Sequence, residues 1–199
     1  MERFRRVPTR LDGPVVVEPA VFRDERGFFA ETFRVNALGE HGVPTEGFVQ
    51  ENHSRSTRGV LRGMHFAVGD PGMGKLVRCS RGRILDVVVD LRRGSPTFGE
   101  WEAVELDDET LRMCWVPVGF AHGFCVISDV ADVLYKQTAY YDAAVERGFA
   151  YDDPDVGIEW PAGVELVVSE RDATAPRLAE VTGELPFVYE ADGAGTRPR

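Results

Sequence analysis

Two side chains suited to proton and anion chemistry interrupt one short apolar run, Gly59-Val60-Leu61-Arg62-Gly63-Met64-His65-Phe66. Arg62 offers a planar fork that fits phosphate or carboxylate. His65 offers the side chain best matched to taking and giving a proton near neutrality. Two readings fit the segment alone: a reactive pair, or an edge arginine beside a core histidine satisfied by hydrogen bonds. Spacing adds a constraint. Positions three apart fall on opposite faces of a regular strand, and Gly63 between them is where a bulge would bring both to one side.

Two further motifs do not complete themselves. Gly69-Asp70-Pro71-Gly72-Met73-Gly74-Lys75 is close to a phosphate-binding P-loop, but Leu76 stands where a Mg²⁺-holding Ser or Thr belongs, and the following residues read as strand rather than helix. Pro117-Val118-Gly119-Phe120-Ala121-His122 resembles half of a cupin metal motif. The other half, two histidines with a following glutamate, is missing, and His41 and His53 have no metal-ligand spacing to His65 or His122. No metal is expected.

The elements that must carry these residues read mostly as strands. Val15–Phe22, Phe28–Phe33, Gly47–Asn52, Val60–Phe66, Lys75–Ser80, Ile84–Leu91, Trp101–Leu106, Leu111–Val116, Gly123–Ile127 and Ala131–Tyr141 are short, rich in β-branched and aromatic residues, and separated by Gly, Pro and Asp turn signals. Only Val35–His41 and Asp142–Arg147 suggest helix. The pattern predicts an all-β fold, a double-sheet jelly roll (a cupin-like β-sandwich) with a few short helices. One domain is expected over residues 1–190, followed by a disordered tail over 191–199.

Composition narrows the function. A net charge of −10 argues against a general nucleic-acid binder, although local clusters around Arg23–Arg26 and Arg62–Lys75 leave room for a small anionic ligand. No apolar run approaches the ~20 residues of a membrane span, and no signal-peptide core follows the N-terminal charges. Cys79, Cys114 and Cys125 form no CxxC pair and have apolar neighbours, which fits reduced, buried thiols in a cytoplasmic protein.

A set of motifs in fixed order then resembles a known family. They are Val21-Phe22-Arg23-Asp24-Glu25-Arg26-Gly27-Phe28-Phe29-Ala30-Glu31, Gln50-Glu51-Asn52-His53-Ser54, Gly59–Phe66, Gly74-Lys75-Leu76-Val77-Arg78 and Asp86–Gly99. Gly119–Phe124, Leu134-Tyr135-Lys136, Asp152–Pro161 and Ser169–Pro176 complete the series. Together they resemble the dTDP-4-dehydrorhamnose 3,5-epimerases, also called dTDP-4-keto-6-deoxyglucose 3,5-epimerases, from about Phe22 to Pro176. Departures are mild: Glu51 where Asp is common, Met64 where Leu is common, and Arg171 where Lys is common.

The resemblance implies a jelly-roll homodimer that needs no metal or organic cofactor and acts on a dTDP-linked 4-keto-6-deoxy sugar. His65 matches the family's base and Asp172 the carboxylate that orients it. Tyr135 matches the acid on the opposite face, and Lys75 the cation near the keto oxygen. For the nucleotide, Arg26 and Glu31 match binding positions on an N-terminal hairpin that reaches the neighbouring subunit. Gln50 and Asn52 match nucleotide contacts, Arg62 a diphosphate ligand, and His122 a sugar or phosphate contact. Tyr140 matches the aromatic that stacks on thymine, and Glu146 and Arg171 match peripheral positions. Outside that context, Asp172 reads as a turn residue and Tyr135 as a half-buried strand aromatic. Two other readings stay open: a sibling that epimerises one carbon or acts as a keto-isomerase, and a metal-dependent or sugar-binding cupin.

Overall fold

The computed structural model describes residues 2–190; the tail expected to be disordered lies outside the described residues. Thirteen strands and three short helices follow one another as β1 (Phe4–Val7), β2 (Val15–Pro19), β3 (Val21–Asp24), β4 (Gly27–Ala30), α1 (Val35–Gly39), β5 (Gln50–Thr57), β6 (Leu61–Ala67), β7 (Lys75–Arg81), β8 (Arg83–Asp90), β9 (Trp101–Asp107), β10 (Met113–Val116), β11 (Phe120–Val126), β12 (Val130–Gln137), β13 (Glu146–Gly148), α2 (Glu170–Ala173) and α3 (Leu178–Val181). They form a six-stranded sheet, β1-β2-β10-β7-β12-β5, a five-stranded sheet, β13-β6-β11-β8-β9, and the separate hairpin β3-β4. The strands pair antiparallel throughout. The expected all-β sandwich is what the chain forms.

Alternation explains how each strand serves two layers. On β8, Ile84 and Val88 point between the sheets, with Val77, Cys114, Val116, Phe120, Phe124 and Val133. Val87 and Val89 point outward, under a cover made by Phe149, Leu178, Val181, Leu185 and Phe187 from the C-terminal segment. The outer face of the six-stranded sheet is covered likewise, with Val15, Val17, Leu76 and Met113 packed against Ala37, Leu38 and Val43. Both faces buried give the near-continuous apolar runs that mark these strands in the sequence.

The bulge expected at Gly63 is present. His122 of β11 pairs with His65, but Phe124 pairs with Arg62, so β6 spends one more residue than β11 over that stretch. Val60 packs inward, whereas Met64 packs outward, and the parity change brings Arg62 and His65 to the inner face together. Gly63 has φ 146°, and a Cβ there would lie 2.6 Å from the Cα of Gly123. Only glycine permits both the conformation and the approach.

Several boundaries differ from expectation for identifiable reasons. The run Val15–Phe22 is two strands, because the chain leaves the sheet at Ala20 to begin the hairpin. The N-terminal β1, with two exposed arginines in four residues, was not expected. Gly47–Asn52 is replaced by β5 over Gln50–Thr57, a strand whose polar composition hid it. The helix expected over Asp142–Arg147 is a turn followed by β13: the Asp142 carboxylate accepts the Ala144 N–H at 2.8 Å, which favours a turn over a helix, and Gly148 pairs with His65.

Candidate active site

The inner faces of both sheets and the short helix α2 enclose one cavity of about 670 Å³, within the usual range for a small-molecule site. The five-stranded sheet contributes Arg62, His65 and His122, and β13 at its edge contributes Glu146. The six-stranded sheet contributes Gln50, Asn52, Lys75 and Tyr135 from the other side. Arg171 and Asp172 arrive on α2.

His65 is held by a carboxylate distant in sequence. Its Nε2 lies 2.7 Å from Asp172 Oδ1, and the Gly63 N–H donates to Asp172 Oδ2 at 3.4 Å. Ser169 caps α2, its hydroxyl accepting the Asp172 N–H at 3.1 Å. Burial works to raise the Asp172 carboxyl, but the hydrogen bond and charge of His65, with the Gly63 and Ser169 contacts, hold it below the ordinary carboxylate range. An ionised carboxylate on one ring nitrogen fixes the orientation of the imidazole.

Tyr135 and Lys75 stand on β12 and β7, neighbouring strands of the opposing sheet. Burial is the main cause that raises the Tyr135 phenol, aided by the charge of Glu146, so the hydroxyl keeps its proton near neutrality. Burial lowers the Lys75 amine, which has no hydrogen bond or ion pair among the described residues. Beside them the amides form a chain: Gln50 Nε2 donates to Asn52 Oδ1 at 3.0 Å, and Asn52 Nδ2 donates to Gln137 Oε1 at 2.6 Å. Gln137 was not anticipated; its inward register, two residues beyond Tyr135 on one strand, was the available signal.

At the mouth, Arg171 pairs with Glu146 at 2.7 Å, and Arg62 donates to the Ser56 hydroxyl at 3.2 Å. Of the two adjacent tyrosines, Tyr141 lines the cavity and donates its N–H to Gln50 Oε1 at 2.9 Å, whereas Tyr140 is 72% exposed and outside the lining. Arg26 and Glu31 are also outside it. Arg26 pairs with Asp24 within the hairpin turn, and Glu31 pairs with Arg3 and Arg34. Among the described residues, no three His, Cys, Asp or Glu side chains are grouped to hold a metal ion.

This arrangement suits moving a proton on and off carbon: an imidazole with its own carboxylate on one wall, a phenol and an ammonium on the other, and guanidinium groups for an anionic handle. Residues 8–180 match the family model described as dTDP-4-dehydrorhamnose 3,5-epimerase. A dTDP-4-dehydrorhamnose 3,5-epimerase from Methanothermobacter thermautotrophicus is 48% identical over 182 residues, 90% of this chain and 97% of that protein. A dTDP-6-deoxy-D-glucose-3,5-epimerase from Legionella pneumophila, solved with dTDP-4-keto-L-rhamnose, superposes with a TM-score of 0.89 at 44% identity, covering 94% of this chain and 100% of that one. A 3'-monoepimerase from Streptomyces bikiniensis, solved with dTDP-quinovose, has a TM-score of 0.85 at 38% identity, covering 90% and 92%.

Proposed function

Because the chain belongs to the dTDP-4-dehydrorhamnose 3,5-epimerase family, we propose that it inverts carbons 3 and 5 of dTDP-4-keto-6-deoxyglucose. It is an isomerase. The ketone at carbon 4 acidifies the hydrogens on its two neighbours. Removing one gives an enolate, and returning a proton from the opposite face inverts the centre. The reaction therefore needs a base and an acid on opposite faces and a cation for the developing oxyanion.

The observation that carries this reading is the distribution of groups across the cavity. His65, backed by Asp172 at 2.7 Å, comes from one sheet, while Tyr135 and Lys75 come from the other. In the proposed mechanism His65 takes the proton, Tyr135 delivers one from the far side, and Lys75 favours the enolate over the neutral ketone, which is the differential stabilisation that catalysis requires. Arg62 grips the diphosphate as a fork; Gln50, Asn52 and His122 position the nucleotide sugar, and Glu146 with Arg171 frames the entrance. Tyr140 stacks on thymine at the exposed rim. Proton NMR in deuterated water with this substrate tests the reading: exchange at carbons 3 and 5 with net inversion is expected. Exchange at one carbon would place the chain with the monoepimerases, and exchange at neither would overturn the reading.

The reaction is expected to proceed without metal. Both cavity histidines already have carboxylate partners at Nε2, and exhaustive chelation should leave the rate unchanged. Activity lost on chelation and restored by Zn²⁺ or Fe²⁺ would revive the metal-dependent cupin, with His65 and His122 the first ligands to examine.

A homodimer completes the site in this proposal. The β3–β4 hairpin leaves Phe22, Phe28 and Phe29 half or more exposed, and two strands have too little surface to bury such aromatics alone. Seated on a second copy, the hairpin would cover them and carry Arg26 and Glu31 to the neighbour's cavity. Light scattering should report a dimer. Arg26→Ala should raise KM roughly 10- to 100-fold, the scale of a lost hydrogen bond to a charged group. A fully active monomer at high dilution would refute the shared site. A cytoplasmic location is proposed from the three free, buried cysteines.

A further inference from the structure

An acidic side chain lies beneath the cavity without a role in the mechanism above. Asp86 sits on the inward face of β8 between Ile84 and Val88, both part of the inter-sheet core, and is 1% exposed. His122 Nε2 lies 2.7 Å from its Oδ1. Its Oδ2 is buried with no hydrogen-bond partner of ordinary geometry among the described residues; the Cys114 thiol of β10, a weak donor, faces the carboxylate, and no Arg or Lys pairs with it. His122 stands directly across from His65 in the strand register. The cavity therefore holds two histidine–carboxylate pairs side by side, one closed by α2 and one by β8.

A buried carboxylate with half of its accepting capacity unused is costly, and an apolar residue would serve packing better. Lys75, on β7 of the facing sheet, lines the same cavity as His122 and has no ion pair of its own among the described residues.

We propose that Asp86 is a positioning residue of the epimerase site, holding the His122 ring through Nε2 and supplying a buried negative charge to the cavity that Lys75 lines. This inference rests on the function proposed above. The charges around Lys75 are mixed. Burial lowers its amine most; Glu146 from β13 and then Asp86 from β8 work to raise it, and Arg171 from α2 adds to the lowering. Arg62 and His65 of β6, His122 of β11, Tyr135 of β12 and Asp172 of α2 also face the cavity. Glu146 is already matched by Arg171 at 2.7 Å, whereas Asp86, like Asp172, has a histidine but no Arg or Lys partner among the described residues.

Asp86→Asn keeps the shape and one acceptor oxygen while removing the charge. Its amide oxygen can still accept from the His122 Nε2–H, so the ring that contacts the substrate stays in place and KM should change little. Its kcat should fall about tenfold, less than the ~10²–10³ lost with a donor that touches the reacting oxygen. The alkaline limb of its kcat profile should move to lower pH. The sign follows from the charge: without a nearby anion the ammonium of Lys75 gives up its proton sooner. A merely structural role would leave that limb in place. A folded variant with wild-type kcat and an unmoved alkaline limb would overturn the proposal.

If the variant does not fold, the wild-type ring decides. Nitrogen-15 spectra should show His122 protonated on Nε2, and a neutral ring protonated on Nδ1 alone would overturn the proposal. That measurement needs no substrate. A wild-type protein that exchanges no substrate proton would thus sink the epimerase reading by itself, while the ring still reports whether Asp86 holds His122.

Discussion

His65→Asn is expected to fold like the wild type and to lose nearly all turnover, on the order of 10²–10⁴-fold in kcat, the usual contribution of a general acid–base group. Asparagine is polar and smaller, so it fits the site, but its amide ends about where Nδ1 of the ring lies and the 2.7 Å contact through Nε2 is given up. What it lacks is a basic nitrogen. The other cavity imidazole, His122, is committed to Asp86 and does not replace it. Exchange at both carbons should therefore collapse together in deuterated water, with thermal unfolding little changed. Wild-type exchange in this variant would show that another group takes the proton.

Tyr135→Phe should separate two events that the wild type couples. The ring remains half-buried against the inter-sheet core, so the fold should tolerate the change, but the hydroxyl that burial keeps protonated is gone. His65 can still remove a proton and return it on its own face. Deuterium should enter the substrate while net inversion falls, again on the ~10²–10⁴ scale. Equal loss of exchange and inversion would count against Tyr135 as the opposite-face acid. The two variants together ask whether proton removal and delivery lie on different sheets, as His65 on β6 and Tyr135 on β12 suggest.

Which of these residues could be found from sequence follows from how local their signals are. The conflict between Arg62 and His65 was visible because strand parity is local, and its resolution at Gly63 was visible because glycine marks bulges. Strand β5 was missed in part because its alternate residues Gln50, Asn52 and Ser54 line the cavity; a strand that builds a polar site lacks the apolar alternation by which strands are recognised. Asp172 lies 107 residues from His65 on a four-residue helix, a separation that no periodicity spans, and only the resemblance joined the two. Asp86 left a trace, an acid inside the apolar run Ile84–Leu91, but that trace does not distinguish a paired buried charge from an exposed one.

The route by which Asp172 reaches His65 bears on how the protein is made. The last strand ends at Gly148, so every strand leaves the ribosome before the carboxylate does. The segment that follows docks when Val167 exchanges backbone hydrogen bonds with Gly59 and Leu61 at 2.8 and 2.9 Å. It also brings Leu178, Val181, Leu185 and Phe187 over Met64, Phe66, Val87 and Val89. Until then the outer face of the five-stranded sheet lacks that cover, the kind of surface that chaperones and aggregation compete for. The carboxylate beside His65 and the cover over that face are thus supplied by the same stretch of chain. A nascent chain interrupted before it would leave that face uncovered and His65 without its carboxylate.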